Sequence, residues 1–251
     1  MSANLTATII TVCLLAAVGL GRRIRRLLPE HHLSSDTKDT VKLSMGLVAT
    51  MSALVLGLLV SSAKSSYDTT RGEVIQMAAK IAFLDRVLAA YGPDAAEVRT
   101  KFHAAVEQAV RQMWSGEAGG LANMSSNAAA GNALYATMQS LSPKDDSQRS
   151  IKAQATSSVV ELGQLRTLLA AQSVPSISRP MLVVVVAWLV VIFVSFSLVA
   201  PPNATAALSL TVAALSVSGA IFLILELDRP FGGLIQISSE PMRDALLYLG
   251  K

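Results

Sequence analysis

Residues 181–200 read MLVVVVAWLVVIFVSFSLVA, twenty positions without one Asp, Glu, Lys, Arg or His. A helix of about 20 apolar residues crosses the hydrocarbon core of a bilayer, so this stretch has both the length and the composition of a membrane span. Working outward, residues 204–225 and 43–63 have the same character, and 5–21 reaches the length once the few residues before it are added. Four such runs in 251 residues, each edged by charge, are too many for buried core helices of a water-soluble protein. The sequence predicts an all-α integral membrane protein with four transmembrane helices, at about 3–21, 43–63, 181–200 and 204–225, and a helical soluble insertion between the second and third.

Composition points the same way. Charged residues make up 15% of the chain, against roughly 25% in soluble domains. The net charge of +4 is not spread as a nucleic-acid-binding patch would be, so no nucleic-acid partner is expected. Arg22, Arg23, Arg25 and Arg26 instead stand directly after the first apolar run, as topology anchors on the cytoplasmic side. Anionic lipid is the other partner such a cluster suits. Cys13 is the only cysteine, which excludes a disulfide within the chain.

No basic residue precedes the first apolar run, unlike a cleaved signal peptide. The pattern predicts a retained first helix whose C-terminal end is cytoplasmic. Counting spans then places the N-terminus, residues 64–179 and the C-terminal tail on the far side. The expectation is a multi-pass protein of a bacterial inner membrane with an extracytoplasmic insertion. The Pro201-Pro202-Asn203 connection carries no charge and cannot check this orientation.

The chain therefore divides into a first hairpin (1–63), the insertion (64–179), a second hairpin (180–226) and a tail (227–251) that ends in a short amphipathic helix. Within the insertion, 67–91 reads as a helix closed by Gly92-Pro93, with Val74, Met77, Ile81, Leu84, Leu88 and Tyr91 forming a seam. Residues 94–113 read as a second helix with Val98, Phe102, Ala105 and Ala109 on one side. A Gly/Ser/Asn-rich loop over 115–126 follows. A short helix at 128–141 stops before Pro143, and a longer one over 144–172 carries Ile151, Ala155, Leu162, Leu165 and Leu169. The insertion is a small helical bundle, free-standing or extending the membrane helices. In the tail, Pro230 and Gly232-Gly233 end the fourth span, 234–237 reads as a short extended piece, and Ser239 is placed to cap the last helix.

The four spans differ. The third is bulky and β-branched, which suits contact with lipid. The second carries Ala49, Ala53, Gly57 and Ser61 every fourth position, with Gly46 and Thr50 alongside. Small side chains at this spacing let helices approach closely, and a pore wall of small and hydroxyl groups has the same composition. Proton-coupled carriers keep an ionisable residue at bilayer depth; none of the four runs contains one. Charge gathers where helices leave the membrane: Lys42, Lys64, Glu226 and Asp228 are the candidates for a pore mouth.

Chemistry of other kinds is sparse. Glu30, His31, His32 and Asp36 hold ligand atoms, yet adjacent histidines without a spaced helical partner are a poor metal motif. His103 reads as a surface residue. No nucleophile elbow, phosphate loop or dinucleotide fingerprint occurs. Neither an enzyme nor a cofactor or metal is expected.

Three segments resemble a known family: SSDTKDTVKLSMGLVATMSALVLGLLVSSAKSSYD (Ser34–Asp68), LDRVLAAYGP (Leu84–Pro93) and LDRPFGGLIQISSEPMRDAL (Leu227–Leu246). They are similar to a bacterial membrane family of unknown function, named for a bestrophin-like domain. The resemblance implies four-helix, homo-oligomeric anion channels whose second helix lines a central pore, which places Ala49, Ala53, Gly57 and Ser61 at or near that pore. It also implies cytoplasmic termini, opposite to the arginine reading. The expectation is thus a homo-oligomeric, channel-like membrane protein with the lipid bilayer and ions as partners. The alternative is a non-conducting membrane-anchored sensor or scaffold whose insertion binds a partner.

Overall fold

Strings of apolar residues free of proline and charge form helices because every backbone group then bonds within its own segment, the only arrangement open to a single span in lipid. The computed structural model describes residues 3–29, 34–114, 128–172 and 177–249, and among these every regular element is helical. The helices are α1 (Ala3–Leu27), α2 (Ser35–Tyr91), α3 (Ala96–Met113), α4 (Ala128–Gln139), α5 (Asp146–Ala171), α6 (Arg179–Val199), α7 (Ala204–Leu227) and α8 (Glu240–Tyr248), with one 3₁₀ turn at Pro93–Ala95. Four of them, α1, α2, α6 and α7, are long and apolar enough to cross a membrane. The loop read over 115–126 lies outside the described residues, as do Glu30, His31 and His32.

Of the two readings left open for the insertion, its first helix extends a membrane helix: the separate helices read at 43–63 and 67–91 are one, α2, which runs 57 residues through Lys64. The change at Lys64 is one of solvent preference, from apolar to charged. A helix ends where a residue cannot continue the ladder, and residues 64–91 contain no proline. The stop comes at Gly92, whose φ of 103° lies in the left-handed region, followed by Pro93.

The chain forms two compact units, Met1–Ser66 with Ser176–Asp228, and Tyr67–Pro175 with Arg229–Lys251. In the first, Leu14, Ala17 and Val18 of α1 pack with Leu59 and Ala63 of α2, Val185, Leu189 and Phe193 of α6, and Ala214, Ile221 and Ile224 of α7. The third span is therefore not simply a lipid-facing helix. Val183, Val184 and Val191 are uncovered, but Val185, Leu189, Ile192 and Phe193 are buried. Bulk and β-branching fill a helix contact as readily as they meet lipid, so composition alone does not say which face is which.

The second unit is built on the predicted seam: Val74, Met77, Ile81, Leu84, Leu88 and Tyr91 are all buried. Val98, Phe102 and Val106 of α3, Met138 of α4, and Ala155 and Leu169 of α5 close against it. Asp145 caps α5, its carboxylate accepting a hydrogen bond from the Gln148 N–H at 2.7 Å. Asp85 and Arg99 form a two-bonded pair between α2 and α3, at 2.9 Å each.

The tail joins this second core through Phe231, Ile237, Met242, Ala245 and Leu249. Residues 234–237 form no regular element. The Ile237 N–H closes that segment onto the Pro230 carbonyl at 2.8 Å, and Gly233 takes a φ of 148°. The Trp114 indole N–H donates to the Ile237 carbonyl at 2.8 Å, and its ring meets Phe231 edge-on at 5.6 Å. Ser239 makes no side-chain cap to α8. The hydroxyl of Ser238 accepts from the Glu240 N–H instead, at 3.1 Å, because Ser239 already has helical dihedrals that turn its side chain away from the first amide groups.

Candidate functional site

Within the first unit, α2 touches its neighbours along one stripe: Ser52, Leu59 and Ala63 are buried, with Val55 and Leu56 partly so. At about 100° per residue, the row Ala49, Ala53, Gly57 and Ser61 is centred roughly 120° round the helix from that stripe. Ala53, Gly57 and Ser61 are exposed, and Ala49 is half-covered. Nothing lies within 4 Å of the space a β-carbon would occupy at Gly46 or Gly57. The Thr50 hydroxyl donates back to the Gly46 carbonyl at 2.9 Å, within its own helix. The small-residue face is thus one continuous, unoccupied surface of the protomer. A second exposed row, Leu43, Leu47, Met51, Leu54 and Leu58, is bulky and lies beside it.

Within the protomer, the close helix contact that small residues permit occurs between α1 and α6. A β-carbon at Gly21 of α1 would stand 2.5 Å from the Val194 carbonyl oxygen and 2.7 Å from the Ser197 Cβ of α6. The buried Ser197 hydroxyl donates to the Val18 carbonyl at 2.7 Å. Arg25, in the last turn of α1, donates to the Leu198 carbonyl near the end of α6 at 3.4 Å. The C-terminal ends of α1 and α6 therefore lie together, and a cation meets the exposed carbonyls that end a helix. Sequence reading missed Gly21 and Ser197. The only available signal was the glycine in the turn before the arginines, since the partner serine lies more than 170 residues away.

The candidate mouth charges do not form one group. Lys42 is exposed and paired with Asp39 one turn back at 2.9 Å. Lys64 is exposed at the other end of the span. Asp228 sits at the C-cap of α7. Glu226 is buried, only 1% accessible, so in the protomer its side chain is enclosed by the chain. Arg23 and Arg26 are exposed, while Arg22 and Arg25 are half-buried. Cys13 is exposed and His103 lies on the surface. Among the described residues no group of three or more His, Cys, Asp or Glu could hold a metal.

These features define a class: an all-helical membrane protein with four spans, a charged helical unit between its second and third spans, and one span left largely uncovered. The model of the Bestrophin-like domain matches residues 11–242, and the chain belongs to that family. Neither the curated proteins nor the solved structures contain a match.

Proposed function

We propose that the protein is a homo-oligomeric channel in which the membrane part of α2, from each copy, lines the conducting path with Ala49, Ala53, Gly57 and Ser61. The observation that carries this reading is the bareness of α2. In its most apolar window 11% of the residues are buried, against 33%, 28% and 22% in α1, α6 and α7. The uncovered face holds the small and hydroxyl groups that a narrow water-filled path tolerates. The family's name likens it to bestrophins, and the anion channels that this likeness implies agree with this reading. With no ionisable group within the four apolar runs, selectivity comes from charge at the two ends of the apolar part of α2, where Lys42 and Lys64 stand. On the reading of the arginines after α1 as cytoplasmic anchors, Lys42 stands at the cytoplasmic end and Lys64 at the extracytoplasmic end.

The test is planar-bilayer recording of the purified oligomer, with subunit count from mass measurement. Unitary currents are expected, and Lys64→Gln shifts the reversal potential under an ion gradient toward weaker anion preference. The shift shrinks at high salt, where the Debye length falls to about 3 Å near 1 M. A folded oligomer that stays electrically silent over a wide range of voltage and calcium overturns conduction and favours the sensor or scaffold.

A further inference from the structure

In the first compact unit the four arginines at the end of α1 divide into two kinds. Arg22 and Arg25 are half-buried, and Arg25 donates to the Leu198 carbonyl near the close of α6. Arg23 and Arg26 are exposed and point away from the packed helices. The carboxylates described at this end of the unit are Asp36 and Asp39, both at the start of α2. Asp39 is paired with Lys42 at 2.9 Å, so positive charge dominates there.

Position along α1 sets what the two outward arginines meet. Leu5, Ile9, Val12 and Leu20 are exposed, and at about 100° per residue they fall within roughly 60° of the direction of Arg23. Arg26 stands about 60° to one side, and the exposed Leu27 completes the stripe one turn further on. Bulky apolar groups on an outward face suit hydrocarbon, whereas the small-residue face of α2 suits a second helix. At 1.5 Å per residue Arg23 lies about 27 Å along the axis from Leu5, close to the roughly 30 Å thickness of the hydrocarbon core. Both guanidinium groups therefore emerge at the depth of the lipid phosphates, on the stripe that meets the acyl chains. Each offers the planar fork that holds a phosphate through two parallel hydrogen bonds.

We propose that Arg23 and Arg26 hold the phosphate of an anionic glycerophospholipid whose acyl chains lie along Val12 and Leu20, while Arg25 serves the contact between α1 and α6. The site belongs to the first unit and does not rest on conduction by α2.

The experiment titrates the full chain in detergent with palmitoyl-oleoyl phosphatidylglycerol or with phosphatidylcholine of the same chains, and counts bound lipid by native mass spectrometry. Phosphatidylglycerol is expected to bind about tenfold more tightly, since each basic side chain at the interface strengthens the attraction several-fold. Arg23→Gln combined with Arg26→Gln removes that preference and leaves thermal unfolding and subunit number unchanged. Lysine at both positions retains most of it, because the charge is kept. Arg25→Gln lowers thermal stability and keeps the preference, as does neutralising Arg86 and Arg243, two exposed arginines of the second unit. A chain that binds the two lipids equally, or a preference undiminished in the double glutamine variant, overturns the site. Loss of subunits from that variant with its lipid preference intact makes the stripe a protein contact and overturns the lipid assignment. Stronger displacement by inorganic phosphate than by chloride at equal ionic strength makes this a site for a soluble anion and overturns it as well.

Discussion

Gly21 and Gly57 are both glycines in apolar helices, and their surroundings are opposite. At Gly21 an added methyl group runs into the backbone of α6, which cannot yield as a flexible side chain would. Gly21→Ala is expected to destabilise the first unit by about 1–3 kcal/mol, the usual range for overpacking, measured as thermal unfolding in detergent. Gly57→Leu meets nothing inside the protomer. It should leave the unfolding of the isolated protomer unchanged while dissociating the oligomer or blocking its current. If Gly57→Leu leaves a measured oligomer and current intact, the small-residue face is not the interface. In the second unit, Asp85→Ala removes both bonds to a partly buried Arg99. Its cost should be roughly 1.5–3 kcal/mol, the range for hydrogen bonds to charged groups.

Helix α2 meets two kinds of neighbour, and each unit treats it differently. In the first unit only a narrow stripe is covered; in the second the Val74–Tyr91 seam is buried throughout. The elements of the second unit are tied by pairs between helices, among them Lys80 of α2 with Glu161 of α5. That ammonium group, by hydrogen bond and then by charge, holds the Glu161 carboxyl below its ordinary 4.5. A lowered folded value means that the pair stabilises above the ordinary value and is lost as pH falls through the folded one. Wild type and Glu161→Gln should differ in melting temperature by a constant amount above pH 5, and the gap should close below 4.5. A gap that persists to pH 2 would show that the pair contributes nothing. The tail behaves as a further element of the same core. Trp114→Phe keeps the ring contact with Phe231 but loses the bond to the Ile237 carbonyl, an expected cost of about 1 kcal/mol. Met242→Ala, at a fully buried position, should cost about 2–5 kcal/mol.

For the whole molecule, the arginines and the structure bear on topology together. The ends of α1 and α6 lie side by side, so the residues after α1 and the Pro201–Asn203 connection share one side of the membrane. A cysteine at Ser35, in a Cys13→Ser background, should resist an impermeant thiol reagent in intact cells. One at Ala153, an exposed position of α5, should react. The reverse labelling would place the helical unit in the cytoplasm, as the family resemblance implied.

Four apolar spans, the insertion seam and the family were legible in the chain itself. Each rests on local quantities: the length of an uncharged run, the spacing of apolar residues, or a contiguous motif. The continuity of α2 past Lys64 was not, because a change from apolar to charged residues alters the preferred solvent and leaves backbone bonding intact. The buried face of α6, the clash awaiting any side chain at Gly21, the burial of Glu226 and the division of the four arginines after α1 into half-buried and exposed were decided by tertiary structure alone. Each depends on which distant helix lies against a residue, and side-chain chemistry read along one helix does not carry that information.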